Sequence, residues 1–293
     1  MDVSVVQNNS GPTFAVAFGG GGARGLAHIH VIEVLDELGI RPTAISGSSI
    51  GAIMGAAMAS GMSGAEIRDH TLSVMTSRTE VMNRMWKLRP SGIGGFLTGG
   101  FKLTQFDIES IVETFLPDRI KRDFKELDIP LSLTATDYYM QEEVIMESGD
   151  LRSAIAASAA IPALFKAVKR DGRILIDGGI FNPVPFEHLE GKADFVIGID
   201  VVGGPEGDPS KAPGTIDVLF GTSQLMMQSI IAMKLKASRP AVFLRPPVNQ
   251  FRVMDFLKAR KILDATVSVR DELKRALDAA IAFSGKTASN RDG

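Results

Sequence analysis

The stretch Thr13-Phe14-Ala15-Val16-Ala17-Phe18-Gly19-Gly20-Gly21-Gly22-Ala23-Arg24-Gly25 carries the first decision about the fold. Its first half is a short apolar run bounded by glycine, the pattern of a buried strand. A glycine cluster follows, then helix-like spacing from Leu26 through Ile29 and Val34 to Leu38, closed by Gly39 where a C-cap glycine belongs. The unit then repeats. Pro42-Thr43-Ala44-Ile45-Ser46 reads as a second strand and Gly51 to Ser60 as a second helix. Strand, helix, strand, helix with short links predicts an α/β protein: a mainly parallel central sheet covered by helices in three α/β/α layers.

Outward from this core, Ser63 to Thr76 and Thr104 to Phe115 have helical patterns, and Met85 to Lys102 is a Gly- and aromatic-rich stretch suited to a surface loop or a lid. Leu131 to Thr136 and Glu143 to Met146 read as strands with a turn at Tyr138 to Gln141. Leu151 to Ala160 is a helix stopped by Pro162. Arg173 to Ile176, Asp194 to Val201 and Ala241 to Leu244 read as further strands. The long helix predicted from Ile216 to Leu235 is apolar nearly all round (Met226, Met227, Ile230, Ile231, Met233), which fits a core helix or else a subunit or lipid contact. Met254 to Phe283 gives one or two closing helices, with Leu273, Leu277 and Ile281 on one face. The expected organisation is a flexible arm at 1–11, a single domain at 12–283 and a frayed tail at 284–293.

The 293 residues are 45% hydrophobic and 23% charged, with a net charge of −2, a globular profile that argues against a disordered protein or a nucleic-acid binder relying on net positive charge. There is no cysteine, so disulfides, thiolate metal sites and cysteine nucleophiles are excluded. The four histidines, His28, His30, His70 and His188, are not spaced as a metal site, and no metal or cofactor is expected. The opening residues have neither a basic residue nor an apolar core, and no apolar run reaches the ~20 residues of a membrane span. The expected location is the cytoplasm, with peripheral membrane contact and homo-oligomerisation left open.

Gly20 to Gly25 matches G-x-G-x-x-G between a strand and a helix, the setting of a dinucleotide site. The second strand nevertheless ends in Ile45-Ser46-Gly47-Ser48-Ser49, with no ribose-binding carboxylate, and no Lys-Ser or Lys-Thr follows the glycines to make a phosphate loop. In place of the acid stands Gly47-Ser48-Ser49-Ile50-Gly51, a G-x-S-x-G motif on a strand-to-helix corner, where a sharp turn exposes a nucleophilic serine. By its spacing the nucleophile is Ser49. Adjacent parallel strands bring both corners to one crevice, so the glycine loop can offer N–H groups as an oxyanion hole, with Gly21 and Gly22 as donors. For the base, His188 lies in a polar stretch that reads as solvated, and His28 and His30 read as helix-packing or surface imidazoles. Asp177, in Ile174-Leu175-Ile176-Asp177-Gly178-Gly179, ends an apolar strand with backbone room around it, and burial there would raise its pKa and strengthen it as a base.

These motifs together resemble the patatin-like phospholipases, in particular small bacterial members, over roughly Phe14 to Val201, with weaker agreement to about Ala276. Gly20 to Gly25, Gly47 to Gly51 and Asp177-Gly178-Gly179 match in order, supported by Ala157-Ser158-Ala159-Ala160-Ile161-Pro162 and Asn182-Pro183-Val184-Pro185. The resemblance implies lipid acyl hydrolysis by a Ser–Asp dyad of Ser49 and Asp177, Gly21 and Gly22 as the oxyanion loop, Arg24 near the substrate head group, and a lipid or acyl-ester substrate. His28 matches a histidine common in such relatives. His30 stands where they carry a small residue, so the helix contact there should be loosened or reshaped. The alternatives are an acyltransferase using the same dyad and a non-catalytic binding protein on the same fold.

Overall fold

The computed structural model describes residues 11–76, 105–208 and 210–289. The expected arm through residue 10 and the loop or lid at 85–102 fall outside them. The strands are β1 (Phe14–Phe18), β2 (Ala44–Ser48), β3 (Leu131–Asp137), β4 (Glu142–Met146), β5 (Val168–Arg170), β6 (Arg173–Asp177), β7 (Phe195–Ile199) and β8 (Val242–Leu244). The helices are α1 (His28–Glu37), α2 (Ile50–Ala59), α3 (Gly64–Thr76), α4 (Ile108–Phe115), α5 (Leu151–Ser158), α6 (Thr215–Ala237), α7 (Ala259–Thr266) and α8 (Val269–Ser289). Helix α8 continues past residue 284, where a frayed tail was expected.

One sheet runs in the order β5-β6-β3-β2-β1-β7-β8, with β4 also paired to β3. The expected parallel arrangement holds from β3 through β2, β1 and β7 to β8. It gives way on the other flank, where β4 and β6 run antiparallel to β3 and β5 antiparallel to β6. The cause is local. Asp137 Oδ1 accepts the N–H groups of Tyr139 and Met140 and closes a tight turn between β3 and β4. Asp171 and Gly172, both at positive φ, make the two-residue hairpin between β5 and β6. Connections this short permit only antiparallel neighbours.

The register of β3 decides where chains can meet. Leu133 and Thr134 pair with β2 and with β4, so those two strands lie on opposite edges of β3. Ala135 to Asp137 pair with β4 and with β6, so β6 also lies opposite β4. Strands β2 and β6 therefore share one edge of β3 and approach each other end to end. Strand β2 stops at Ser48, opposite Thr134, and β6 stops at Asp177, opposite Ala135.

The two sheet faces differ. Val16, Phe18 and Ile45 point into the main core beneath α1 and α2. Ala15, Ala17 and Ala44 point the other way into a small cluster with Val184, Phe186 and Ile231. Helix α6 is not buried all round: Gln224 and Ile231 are buried, whereas Leu225, Met226 and Met233 are exposed. Its apolar residues on the outer side face solvent.

Gly51, in the first turn of α2, shows how closely this core is drawn together. A Cβ there would collide with the Phe18 carbonyl at the end of β1. Gly51→Ala is expected to cost about 3 kcal/mol, read as a lower urea midpoint with an unchanged slope.

Candidate active site

One residue separates β2 from α2, and Ser49 makes that turn with φ 55° and ψ −123°. A non-glycine residue in this region stores roughly 1–3 kcal/mol and persists only when its surroundings hold it. Here the Ser49 N–H donates to Ser158 Oγ at 2.9 Å, and the Ser49 carbonyl accepts from Ala52 N–H at 2.9 Å. Ser158 is fully buried at the end of α5. Gly47 lies in β2 opposite Phe18. Because α2 starts at Ile50, its unpaired first-turn N–H groups and the positive end of its dipole lie at Ser49.

Asp177 meets Ser49 from the opposite direction. The Ser49 hydroxyl donates to Asp177 Oδ2 at 2.6 Å, and the Gly179 N–H donates to Oδ1 at 2.8 Å. The backbone of Asp177 is clamped as well. Its N–H donates to the Ala160 carbonyl at 3.0 Å, and its carbonyl accepts from Thr136 Oγ1 at 2.9 Å. Gly178 packs against the Thr134 carbonyl of β3. Burial pushes the Asp177 carboxyl up to about 6, against the opposing hydrogen bonds from Ser49 and Gly179.

The glycine loop lies beside this pair. Gly19 N–H donates to Ile199 O at 3.0 Å, Gly20 N–H to Pro183 O at 2.9 Å, and Ala23 N–H to Val253 O at 2.7 Å. Between these anchors the N–H groups of Gly21 and Gly22 have no acceptor among the described residues. Gly22 has φ +60° and lies against Val253, where a Cβ would not fit. Gly20 packs on Ser49 Cβ and Gly25 on the Ile50 side chain. Residues Gly22 to Ala27 form a 3-10 turn that leads into α1, where the spacing alone predicts one continuous helix.

An apolar cavity of about 360 Å³ reaches Ser49 and Gly22. Ile50, Ile53, Met54 and Ala57 line it along one face of α2, with α3 and α4 across from them. From Ser49 to Ala57 is ~12 Å along the helix axis.

Arg24, expected near a substrate head group, is held by backbone carbonyls. It is 3% exposed and absent from the cavity wall. Its Nε donates to Phe251 O at 2.7 Å, and another guanidinium nitrogen donates to Val202 O. It fastens the glycine loop to two distant loops. His188 is half-buried rather than solvated: its Nε2 lies 2.9 Å from Glu143 Oε1, and that carboxylate helps to raise its pKa against the effect of burial. Glu143, Glu187 and His188 offer ligand atoms within 4.8 Å of one another. The Lys234 ammonium already lies there, 2.6 Å from Glu187 Oε2 and donating to the Val184 carbonyl at 2.6 Å. The group ties α6 to the sheet and does not touch Ser49.

His28 and His30 are also in structural positions, and His70 lines the cavity. His28 is buried, with Nε2 2.9 Å from Gly19 O, and burial pushes it down to about 4, so it is neutral at physiological pH. His30 does reshape its helix contact, without loosening it: Nε2 lies 2.8 Å from Leu263 O, and Arg68 lies 3.3 Å from Nδ1. His70 Nε2 lies 3.0 Å from Phe115 O. Ser158 falls in a stretch that supports the family resemblance, but its bond to the Ser49 amide and the part of Thr136 escape sequence reasoning, because a serine ending a helix and a threonine in a strand have no separate signature.

The patatin-like phospholipase family model matches residues 16–189. The chain belongs to that family. An uncharacterised NTE family protein of Mycobacterium tuberculosis is 34% identical over 203 residues, 69% of this chain and 52% of that protein. Human patatin-like phospholipase domain-containing protein 6 is 28% identical over 285 residues, 87% of this chain and 20% of that protein. The chain thus spans about half the length of the mycobacterial relatives it matches. Among the described residues no helix is long and apolar enough to cross a membrane.

The buried carboxyl has a cost in stability. Its folded pKa lies above the ordinary value of 3.8, so its contribution is most favourable below that value and is lost as pH rises through about 6. Asp177→Asn, which removes the charge, is therefore expected to gain up to about 3 kcal/mol at pH 8. The gain should vanish near pH 3.5. Urea unfolding at the two pH values checks it.

Proposed function

We propose that this protein is a lipid acyl hydrolase that cleaves carboxylic esters through an acyl-enzyme on Ser49, with Asp177 as the base. The observation that carries the reading is the 2.6 Å bond from the Ser49 hydroxyl to the buried Asp177 carboxylate, set at the mouth of an apolar cavity. Family membership supports lipid hydrolysis in general.

In the first step Asp177 takes the Ser49 proton as Oγ attacks the ester carbonyl. The carbonyl oxygen gains negative charge, which the N–H groups of Gly21 and Gly22 receive. Collapse breaks the ester bond, and the leaving alkoxide takes the proton back from Asp177. In the second step Asp177 removes a proton from water as it attacks the acyl-enzyme, and Ser49 leaves with that proton, releasing the carboxylic acid. Every proton passes through one carboxyl group, so no histidine is required.

Ser49→Ala is expected to abolish hydrolysis of a chromogenic acyl ester and labelling by a fluorophosphonate probe, and Asp177→Asn to lower kcat by at least about 10³. Wild-type turnover by Ser49→Ala would refute the assignment. Since Asp177 must be deprotonated, kcat/KM should rise through about pH 6 and level off above it, a profile that Asp177→Asn lacks.

The cavity sets a second expectation. Its run along α2 holds roughly nine or ten carbons of an extended chain. Each buried methylene contributes about 0.8 kcal/mol, so kcat/KM should climb at least about tenfold from butanoate to octanoate esters and stop climbing beyond decanoate. An ester ladder measures this, and product analysis with an added alcohol separates hydrolysis from acyl transfer.

A further inference from the structure

Helix α6 has two faces of equal regularity. Toward the protein it presents Gly221, Gln224, Gln228, Ile231 and Leu235, spaced by three and four residues and buried or half-buried. Toward solvent it presents Val218, Thr222, Leu225, Ser229, Ala232 and Lys236 at the same spacing, all exposed. Leu219, Met226 and Met233 flank that second row at seven-residue intervals, exposed by 51%, 62% and 60%. A helix face of this kind on solvent is ordinarily charged, yet no charged residue occurs from Val218 to Met233. The charges stand at the ends: Asp217 in the first turn, Lys234 and Lys236 in the last. An exposed helix face that carries Val218, Leu219, Leu225, Met226 and Met233 with no charge between its ends has the character of one that packs against another helix.

We propose that this face binds the same face of a second copy of the chain, with the two α6 helices antiparallel about a two-fold axis between Leu225 and Met226. Such an interface is isologous, the commonest form of a homodimer. The register follows from the sequence. Leu225 meets Met226 of the second copy, Thr222 meets Ser229, Leu219 meets Ala232, and Val218 meets Met233. Large side chains oppose small ones at Leu219 and Ala232, and two hydroxyl side chains face each other beside the axis. The antiparallel sense also brings Asp217 to the end of the second helix that bears Lys236, so opposite charges meet twice. Among the described residues Asp217 has one ion pair, a long contact of 3.6 Å to Arg252, and helix dipoles of opposite sense favour the same pairing. A parallel pair would set Asp217 against Asp217 and Lys236 against Lys236.

The charge arrangement argues against a lipid surface as the occupant. A helix lying on an anionic membrane carries lysine and arginine along its polar face, whereas this stripe has an acid at one end, hydroxyls at its middle, and a chain of net charge −2 behind it.

The test uses the full chain and does not depend on its activity. Sedimentation equilibrium should give twice the monomer mass at micromolar concentration, and Leu225→Glu with Met226→Glu should give the monomer. Asp217→Lys should weaken association at least tenfold, and adding Lys236→Asp should restore it. Because the chain has no cysteine, single substitutions report the geometry. Leu225→Cys should form an intermolecular disulfide under mild oxidation, while Val218→Cys, ~22 Å from its mate in the antiparallel register, should not. A chain that stays monomeric at about 200 µM overturns the proposal, as does efficient cross-linking through Val218→Cys. Flotation of a monomeric chain with phosphatidylcholine–phosphatidylglycerol vesicles, lost on Leu225→Glu with Met226→Glu, would overturn it in favour of a lipid surface.

Discussion

The architecture turns on one edge of β3, which two strands share from opposite ends. Strand β2 arrives as part of a parallel βα unit and must leave through Ser49 in a strained conformation. Strand β6 arrives antiparallel and stops at Asp177. Neither can advance without displacing the other, so the two residues are held in hydrogen-bond contact by the backbone of the sheet. The strain at Ser49 and the desolvation of Asp177 are the unfavourable terms of that arrangement. They are balanced by the surrounding clamps: Ser158 on the serine amide, Thr136 and Ala160 on the aspartate backbone, and Gly179 on the carboxylate.

Electrostatically the centre is sparse. His28 is neutral through burial, His30 and His188 are engaged with partners away from the dyad, and Arg24 points its charge at carbonyl oxygens behind the glycine loop. Ser49 and Asp177 therefore lie between a mostly apolar cavity, with His70 in its wall, and neutral backbone. In such surroundings the N–H groups of Gly21 and Gly22, which have no acceptor among the described residues, are suited to the oxyanion role proposed for them.

The two glycine corners are legible in the sequence because each follows a short apolar run, a local pattern that survives into the structure as β1 and β2. Ser49 and Asp177 are legible by residue type and spacing. The direction from which Asp177 comes is not: it depends on the Asp171-Gly172 hairpin and on β6 choosing the same edge as β2, a non-local pairing. The partners of Arg24 and His188 are hidden for the same reason. Their partners, Phe251 and Val202 for one and Glu143 for the other, are 45 or more residues distant. In α6 the apolar residues are correctly seen, but one-dimensional spacing cannot say which face the sheet covers.

The glycine loop also has something to say about where the working unit ends. The family match stops at residue 189, yet Ala23 is anchored on Val253, Arg24 on Phe251 and Val202, and Gly19 on Ile199. β1 would itself become an edge without β7. A fragment cut at the family boundary would retain the serine and the aspartate in sequence while losing the supports that hold the loop in place and compensate the buried guanidinium. The minimal autonomous piece of this protein is thus set by the reach of one arginine, more than sixty residues beyond the last motif a reader of the sequence would recognise.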